Sequence, residues 1–163
     1  GRPVQTARWL GRDIVYALPP DHGLAAGAAV RVELDWTRRH ALMRLHFAAE
    51  LVLEIAMQRL AGAEKIGAHI AADKARIDFA WTGVVTPLLP EIAAAAQAVV
   101  DRDLAIESAF SDEAAERRFW RVPGFAEVPC GGTHLRRTGE VGAIALKRRN
   151  VGKGKERIEI TVT

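Results

Sequence analysis

A thiol and an imidazole four positions apart, Cys130 and His134, bracket Gly131, Gly132 and Thr133. A tight loop at this spacing can bring a sulfur and a nitrogen onto one ion, but two donors do not make a site. The stretch around residue 46 supplies more. His46 and Glu50 stand four positions apart, so on a helix they project from one face about one turn apart. Together the four groups give His46, Glu50, Cys130 and His134, all competent for zinc. Each has an ordinary reading when taken singly. His46 would be a packed helical histidine, Glu50 a surface carboxylate and Cys130 a small buried side chain. A chain whose helix and loop pack together without a metal is therefore a standing alternative. Consecutive glycines argue against it, because they cost backbone entropy and mark a positive φ or a close approach.

The elements that must hold these groups can be read from periodicity. From Arg38 to Leu60, the residues Leu42, Leu45, Ala49, Leu53, Ala56 and Leu60 follow helical spacing, with Gly62 just past the end. This is the longest helix expected. Ala68 to Ala72 and Ala75 to Phe79 are expected to pair across a turn at Asp73 and Lys74. Pro90 suits the first turn of an alanine-rich helix ending near Arg102, and Ile106 to Phe110 is a further strand. Ser111, Asp112 and Glu113 before Ala114 to Phe119 predict a short capped helix. The last third alternates strands and turns, ending in Arg157 to Val162. Ahead of the long helix, Val30 to Leu34 alternates apolar and charged residues like a half-buried strand, and Leu18 to Gly23 reads as a turn. The expected fold class is α+β, an antiparallel sheet packed with long helices and preceded by a partial small β unit. The expected division is residues 1–36 for that unit and 37–163 for the main domain.

Composition excludes several classes. With 49% hydrophobic and 26% charged residues and no low-complexity tract, disorder is excluded. The densest apolar run, Leu51 to Met57, is broken by Glu54, so no helix to cross a bilayer is expected and no membrane partner. The first four residues lack both an initiating methionine and a signal-peptide layout. Cys130 is the only cysteine, which rules out an internal disulfide and suits a reducing cytoplasm. No heptad repeat indicates an oligomeric state. The net charge of +3 is mild, but Arg136, Arg137, Lys147, Arg148, Arg149, Lys153, Lys155 and Arg157 face only Glu140 and Glu156 within their own stretch. That excess is either a solvated basic face or a surface for a phosphate backbone.

Cys130-Gly131-Gly132-Thr133-His134, followed by Arg137-Thr138-Gly139-Glu140-Val141-Gly142, resembles the C-terminal signature of the alanyl-tRNA synthetase editing domain and its free-standing AlaX-type relatives. Asp35 to Arg39, Ala68 to Ile70, Ile77 to Phe79 and Arg157 to Glu159 extend the resemblance over roughly residues 30 to 163. In that family an H-x3-H pair on the long helix joins the later Cys and His in holding zinc. His46 matches the first of the pair, and Glu50 replaces the second. Family members commonly carry threonine after the first histidine to read a serine hydroxyl, where this chain has Phe47.

The resemblance implies hydrolysis of the ester joining an amino acid to tRNA, with zinc as cofactor and mischarged tRNA of the alanine type as partner. It implies metal ligation by His46, Glu50, Cys130 and His134, and a substrate site formed by Phe47, Gly131, Gly132 and Thr133. In that site the Gly131 and Gly132 amides would face the carbonyl oxygen, and Phe47 would line the amino-acid pocket and change its selectivity. Arg137, Lys147 and Arg148 would bind the acceptor stem. Glu50 has two roles open. As a ligand it would leave a neutral zinc centre, where a third imidazole would leave one positive charge. As a free carboxylate beside a three-ligand ion it would be a catalytic general base. The competing reading is a zinc-stabilised tRNA-binding module of the same fold without deacylase activity.

Overall fold

The computed structural model describes residues 2–163 and divides into two compact units, one ending at Glu33 and the other Leu34–Thr163. In the first, β1 (Thr6–Leu10) pairs antiparallel with β2 (Asp13–Ala17), and Gly11 takes the positive φ that the tight turn requires. The strand expected at Val30 to Leu34 is absent. These residues are irregular and exposed, because alternation supplies a face but no neighbouring strand pairs with their backbone.

The second unit is built on α1 (Trp36–Arg59). Asp35 caps it, its Oδ1 accepting the Arg38 amide at 3.0 Å, and Gly62 turns the chain away at φ +75°. A four-stranded antiparallel sheet follows the order β3 (Glu64–Ile70), β4 (Ala75–Ala80), β9 (Lys155–Val162), β8 (Ile144–Asn150). α2 (Leu89–Asp101) follows a single 3-10 turn at Thr86–Leu88 and carries Pro90 in its first turn. A smaller antiparallel sheet, β5 (Glu107–Asp112), β6 (Arg117–Val122) and β7 (Ala126–Pro129), completes the unit. The architecture is α+β, with antiparallel sheets and two helices after a small β unit. Among the described residues no helix is long and apolar enough to cross a membrane.

The short helix expected at Ala114 to Phe119 is instead the turn and second strand of the β5–β6 hairpin. Asp112 does accept an amide, from Ala115 at 3.0 Å, but it caps a turn that closes with Glu116 at φ +53°. An aspartate serves a turn and a helix start equally well, and strand pairing decides between them.

The core explains how the site is held. Ile77, Phe79, Ile158 and Ile160 of the larger sheet pack with Ile92 and Ala96 of α2 and with Leu45, Leu51 and Ile55 of α1. Trp120 and Val122 of the smaller sheet belong to the same cluster. The middle of α1 is therefore covered on more than one side, with Leu45, Phe47, Ala48, Leu51 and Val52 all at 1% exposure or less. A single apolar stripe does not describe it.

Candidate metal centre and its pocket

His46 leaves α1 one turn before Glu50, and the chain after β7 carries Cys130 and His134 over it. The ligand atoms of His46, Cys130 and His134 all lie within 4.8 Å of one another, and the His46 Nε2 is 3.6 Å from the Cys130 Sγ. The His134 Nε2 is buried with no hydrogen-bond partner, while its Nδ1 lies 3.2 Å from the Ser108 Oγ of β5. The Ser108 hydroxyl can accept from an Nδ1–H, which leaves the Nε2 lone pair free, the usual arrangement around a metal-binding histidine. Burial and the neighbouring His46 push the His134 pKa down to about 4, so the ring is neutral at pH 7.

Glu50 adjoins this set. Its Oε1 is 3.4 Å from the His46 Nε2 and 4.0 Å from the Cys130 Sγ, and its Oε2 accepts the Trp120 indole N–H at 3.1 Å. Burial works to raise its pKa, but the hydrogen bonds from His46 and Trp120, with the imidazoles close by, outweigh it and the net direction is down. For Cys130, burial raises the thiol pKa and Glu50 adds to it, against a hydrogen bond from the Gly132 amide.

Spacing in the loop is set by one glycine of the pair. A Cβ on Gly132 would fall 2.2 Å from the His46 Cε1, whereas one on Gly131 meets nothing within 4 Å. Neither glycine has a positive φ. Close approach to His46 is therefore the reason for Gly132, and the structure gives no reason for Gly131. The Gly132 amide donates to the Cys130 Sγ at 3.4 Å. The Gly131 carbonyl accepts from Arg118 Nη1 at 3.5 Å.

The residues after the loop anchor it. Thr138 is fully buried, its hydroxyl donating to the Val99 carbonyl and accepting the Leu104 amide, both at 2.9 Å. The Glu140 Oε1 accepts the amides of Arg136 and Arg137 at 2.8 and 2.9 Å. Thr138 thus ties the loop to the end of α2, and Glu140 closes the segment after His134 on its own backbone.

A pocket of about 210 Å³ opens beside His46, lined by Arg39, Leu42, Met43, Ile70 and Thr133. The Thr133 hydroxyl accepts from Arg39 at 2.5 Å. Phe47 is not on this wall. It is fully buried one residue round the helix, its ring edge-on to Trp120 and His134 at 5.2 and 6.1 Å. It packs beneath His134, and the apolar pocket wall comes from the preceding turn of α1 and from β3.

The expected basic face is largely neutralised. Arg148 forms two 2.5 Å bonds to the buried Glu156, and Arg149 pairs with Glu159 at 2.7 Å. Arg157 pairs with Asp78 at 2.6 Å and Arg137 with Asp103 at 2.7 Å. Lys147 and Arg148 are adjacent strand residues and so point to opposite faces. Arg148 turns to the core side with Glu156, and Lys147 is exposed on the other. Counting charges along the chain missed Asp78 and Asp103, which strand pairing and loop packing bring in from far away. Ser108, Trp120 and Arg118 carried no local signal, and Arg39 entered only as part of the Asp35 to Arg39 segment.

Residues 118–159 match the family model of the threonyl and alanyl tRNA synthetase second additional domain. The alanyl-tRNA editing protein AlaX-M of Saccharolobus solfataricus is 31% identical over 170 residues, covering 92% of this chain and 71% of that protein. AlaX-M of Methanosarcina acetivorans is 30% identical, covering 86% of this chain and 65% of the relative. The alanine–tRNA ligase of Methanopyrus kandleri is 32% identical over 86% of this chain but only 17% of its own length. Against three of the AlaX-M relatives the chain spans 62% to 66% of their length. With the Cys130–His134 loop, the α1 histidine and this degree of identity in agreement, the chain belongs to the family of AlaX-type alanyl-tRNA editing proteins and the related domains of alanyl-tRNA synthetases.

Proposed function

We propose that residues 37–163 form an editing domain that hydrolyses the ester joining a wrongly attached amino acid to the terminal ribose of an alanine-type tRNA. The observation that carries this reading is the convergence of His46, Cys130 and His134 beside the pocket, in a chain whose relatives are named alanyl-tRNA editing proteins. The donor set fits zinc. Tetrahedral zinc, with bonds of about 2.0–2.1 Å to nitrogen and about 2.3 Å to sulfur, separates its nitrogen and sulfur ligands by about 3.6 Å. That is the distance between His46 and Cys130. The orphaned Nε2 of His134 supplies the third donor. Zinc held by these three residues would contribute Lewis acidity beside the pocket.

The chain's own residues account for the rest. Trp120 fixes one oxygen of Glu50, leaving the other turned toward His46 and Cys130 as an ionised proton acceptor for water. Leu42, Met43 and Ile70 offer the amino-acid side chain an apolar wall, which favours a small aliphatic residue over one that needs its hydroxyl read. An aminoacyl ester is already activated, so holding it and a water in place supplies much of the acceleration. Exposed Lys147 remains available for phosphate, as do Arg39 and Arg118 near the pocket. A thiol that must stay reduced suits the cytoplasm.

Alanine-type tRNA charged with serine, glycine or other amino acids tests the reading, with Glu50→Gln alongside. The expected outcome is deacylation by the parent protein and a fall of about 10²- to 10⁴-fold in Glu50→Gln with its metal content unchanged. Loss of metal in that variant would make Glu50 a ligand. Failure to deacylate any species would overturn the enzyme reading. The commitment of Glu50 to both Trp120 and His46 favours the second reading, a zinc-stabilised tRNA-binding module, and that outcome would leave it standing.

A further inference from the structure

Two arginine–aromatic pairs lie on the β5–β6 hairpin, and they differ in what else the arginine does. Arg121, 5.9 Å from the Phe119 ring centroid, is bound by Glu107 at 2.6 Å and Glu127 at 3.4 Å. Arg118, 5.7 Å from the Phe110 ring centroid, has no carboxylate partner among the described residues and reaches the Gly131 carbonyl of the Cys130–His134 loop. One pair is internally neutral. The other presents an uncompensated cation and an aromatic ring that is 50% exposed.

Strand register shows which way this second pair faces. Directly opposed residues on antiparallel strands share a face, and the face repeats every second residue. Ser108 opposes Trp120, and Phe110 opposes Arg118. Ser108 holds His134 and Trp120 holds Glu50, so Phe110 and Arg118 lie on the site side of the hairpin. Phe110 is two residues beyond Ser108, about 7 Å further along the strand. The same face thus runs from buried Trp120, past the candidate metal centre, to an open ring flanked by a free guanidinium.

We propose that Phe110 and Arg118 form a ledge on which a nucleobase of the single-stranded 3′ end of the tRNA stacks, with Arg118 on the adjoining phosphate. The inference rests on the proposed function, which brings the terminal nucleotide to the neighbouring pocket. Its physical basis is general: unpaired nucleotides are held by aromatic faces for the bases and cations for the backbone, without a need to read sequence. An exposed phenylalanine beside an arginine with no carboxylate partner among the described residues, two strand residues from the serine that holds His134, is that arrangement.

The test uses an RNA acceptor-stem minihelix with 2-aminopurine in its 3′ single-stranded nucleotides, beside a blunt duplex lacking them. The parent protein is expected to change the fluorescence on binding the tailed RNA. Phe110→Ala and Phe110→Leu should weaken that binding about 5- to 100-fold, while Phe110→Trp preserves it. None should alter binding of the blunt duplex. Thermal melting of each variant, expected to stay close to the parent because the ring is half exposed, separates folding from stacking. Equal affinity of Phe110→Ala and the parent overturns the ledge, as does a leucine as good as a tryptophan or an equal loss on the blunt duplex. If the parent deacylates tRNA while Phe110→Ala is unchanged, the ledge alone fails. If the parent neither binds the tailed RNA nor deacylates, the proposed function fails with it.

Discussion

Gly132→Ala is the sharpest probe of the candidate metal centre because the perturbation is a single methyl group. Its Cβ would stand 2.2 Å from the His46 Cε1, 3.0 Å from Nδ1 and 3.1 Å from Nε2. To restore an ordinary contact of 3.4 Å, ring and loop must separate by about 1.2 Å. Metal–ligand distances tolerate about 0.2 Å, so this separation removes His46 from the donor set or drags Cys130 away from it. Displacing one of three protein ligands should weaken zinc binding by at least about 100-fold, beyond the usual effect of disturbing an outer-shell partner. Overpacking should add a cost of about 1–3 kcal/mol to folding. Competition for zinc against a chromophoric chelator measures the first, and urea unfolding of the metal-free protein the second. Gly131→Ala is the control, since its Cβ meets nothing within 4 Å, and its zinc affinity should match the parent's. Equal zinc affinity in Gly132→Ala and the parent would refute the claim that the loop closes directly on His46.

Other consequences follow from groups that hold the site in place. Thr138→Val strands the Val99 carbonyl and the Leu104 amide, both bonded to the buried hydroxyl, and should cost about 1–3 kcal/mol in urea unfolding. Glu156 has its pKa lowered chiefly by the hydrogen bonds from Arg148, against burial. A carboxylate with a folded pKa below its unfolded value of about 4.3 stabilises the fold fully above that value and loses the contribution as pH falls through the folded pKa. Glu156→Gln should therefore lower stability at pH 7 and flatten its dependence on pH below about 4.3, read by unfolding at a series of pH values.

The spacing of His46 and Glu50, the Cys130–His134 loop, the long helix and the last strand could be read from the residues themselves. Each depends on geometry within a few positions: a helical turn, a tight loop or a two-residue alternation. The short helix expected after Asp112 and the strand expected at Val30 to Leu34 failed where local signals were satisfied but distant pairing was decisive. Burial of Phe47 needed a second sheet against α1, which no periodicity within the helix announces. The same is true of charge. Arg148 and Arg137 look free along the chain and are bound in the fold, whereas Arg118 is left without a carboxylate by the way its strand pairs. Ser108, Trp120 and Phe110 share a face with the site only through strand register. The sequence by itself thus determined which donors are present, because donor chemistry and short-range spacing are properties of the chain. Tertiary structure alone decided which of them converge, which cations remain unpaired and which ring stays open, because contacts between distant residues exist only once the sheets have formed.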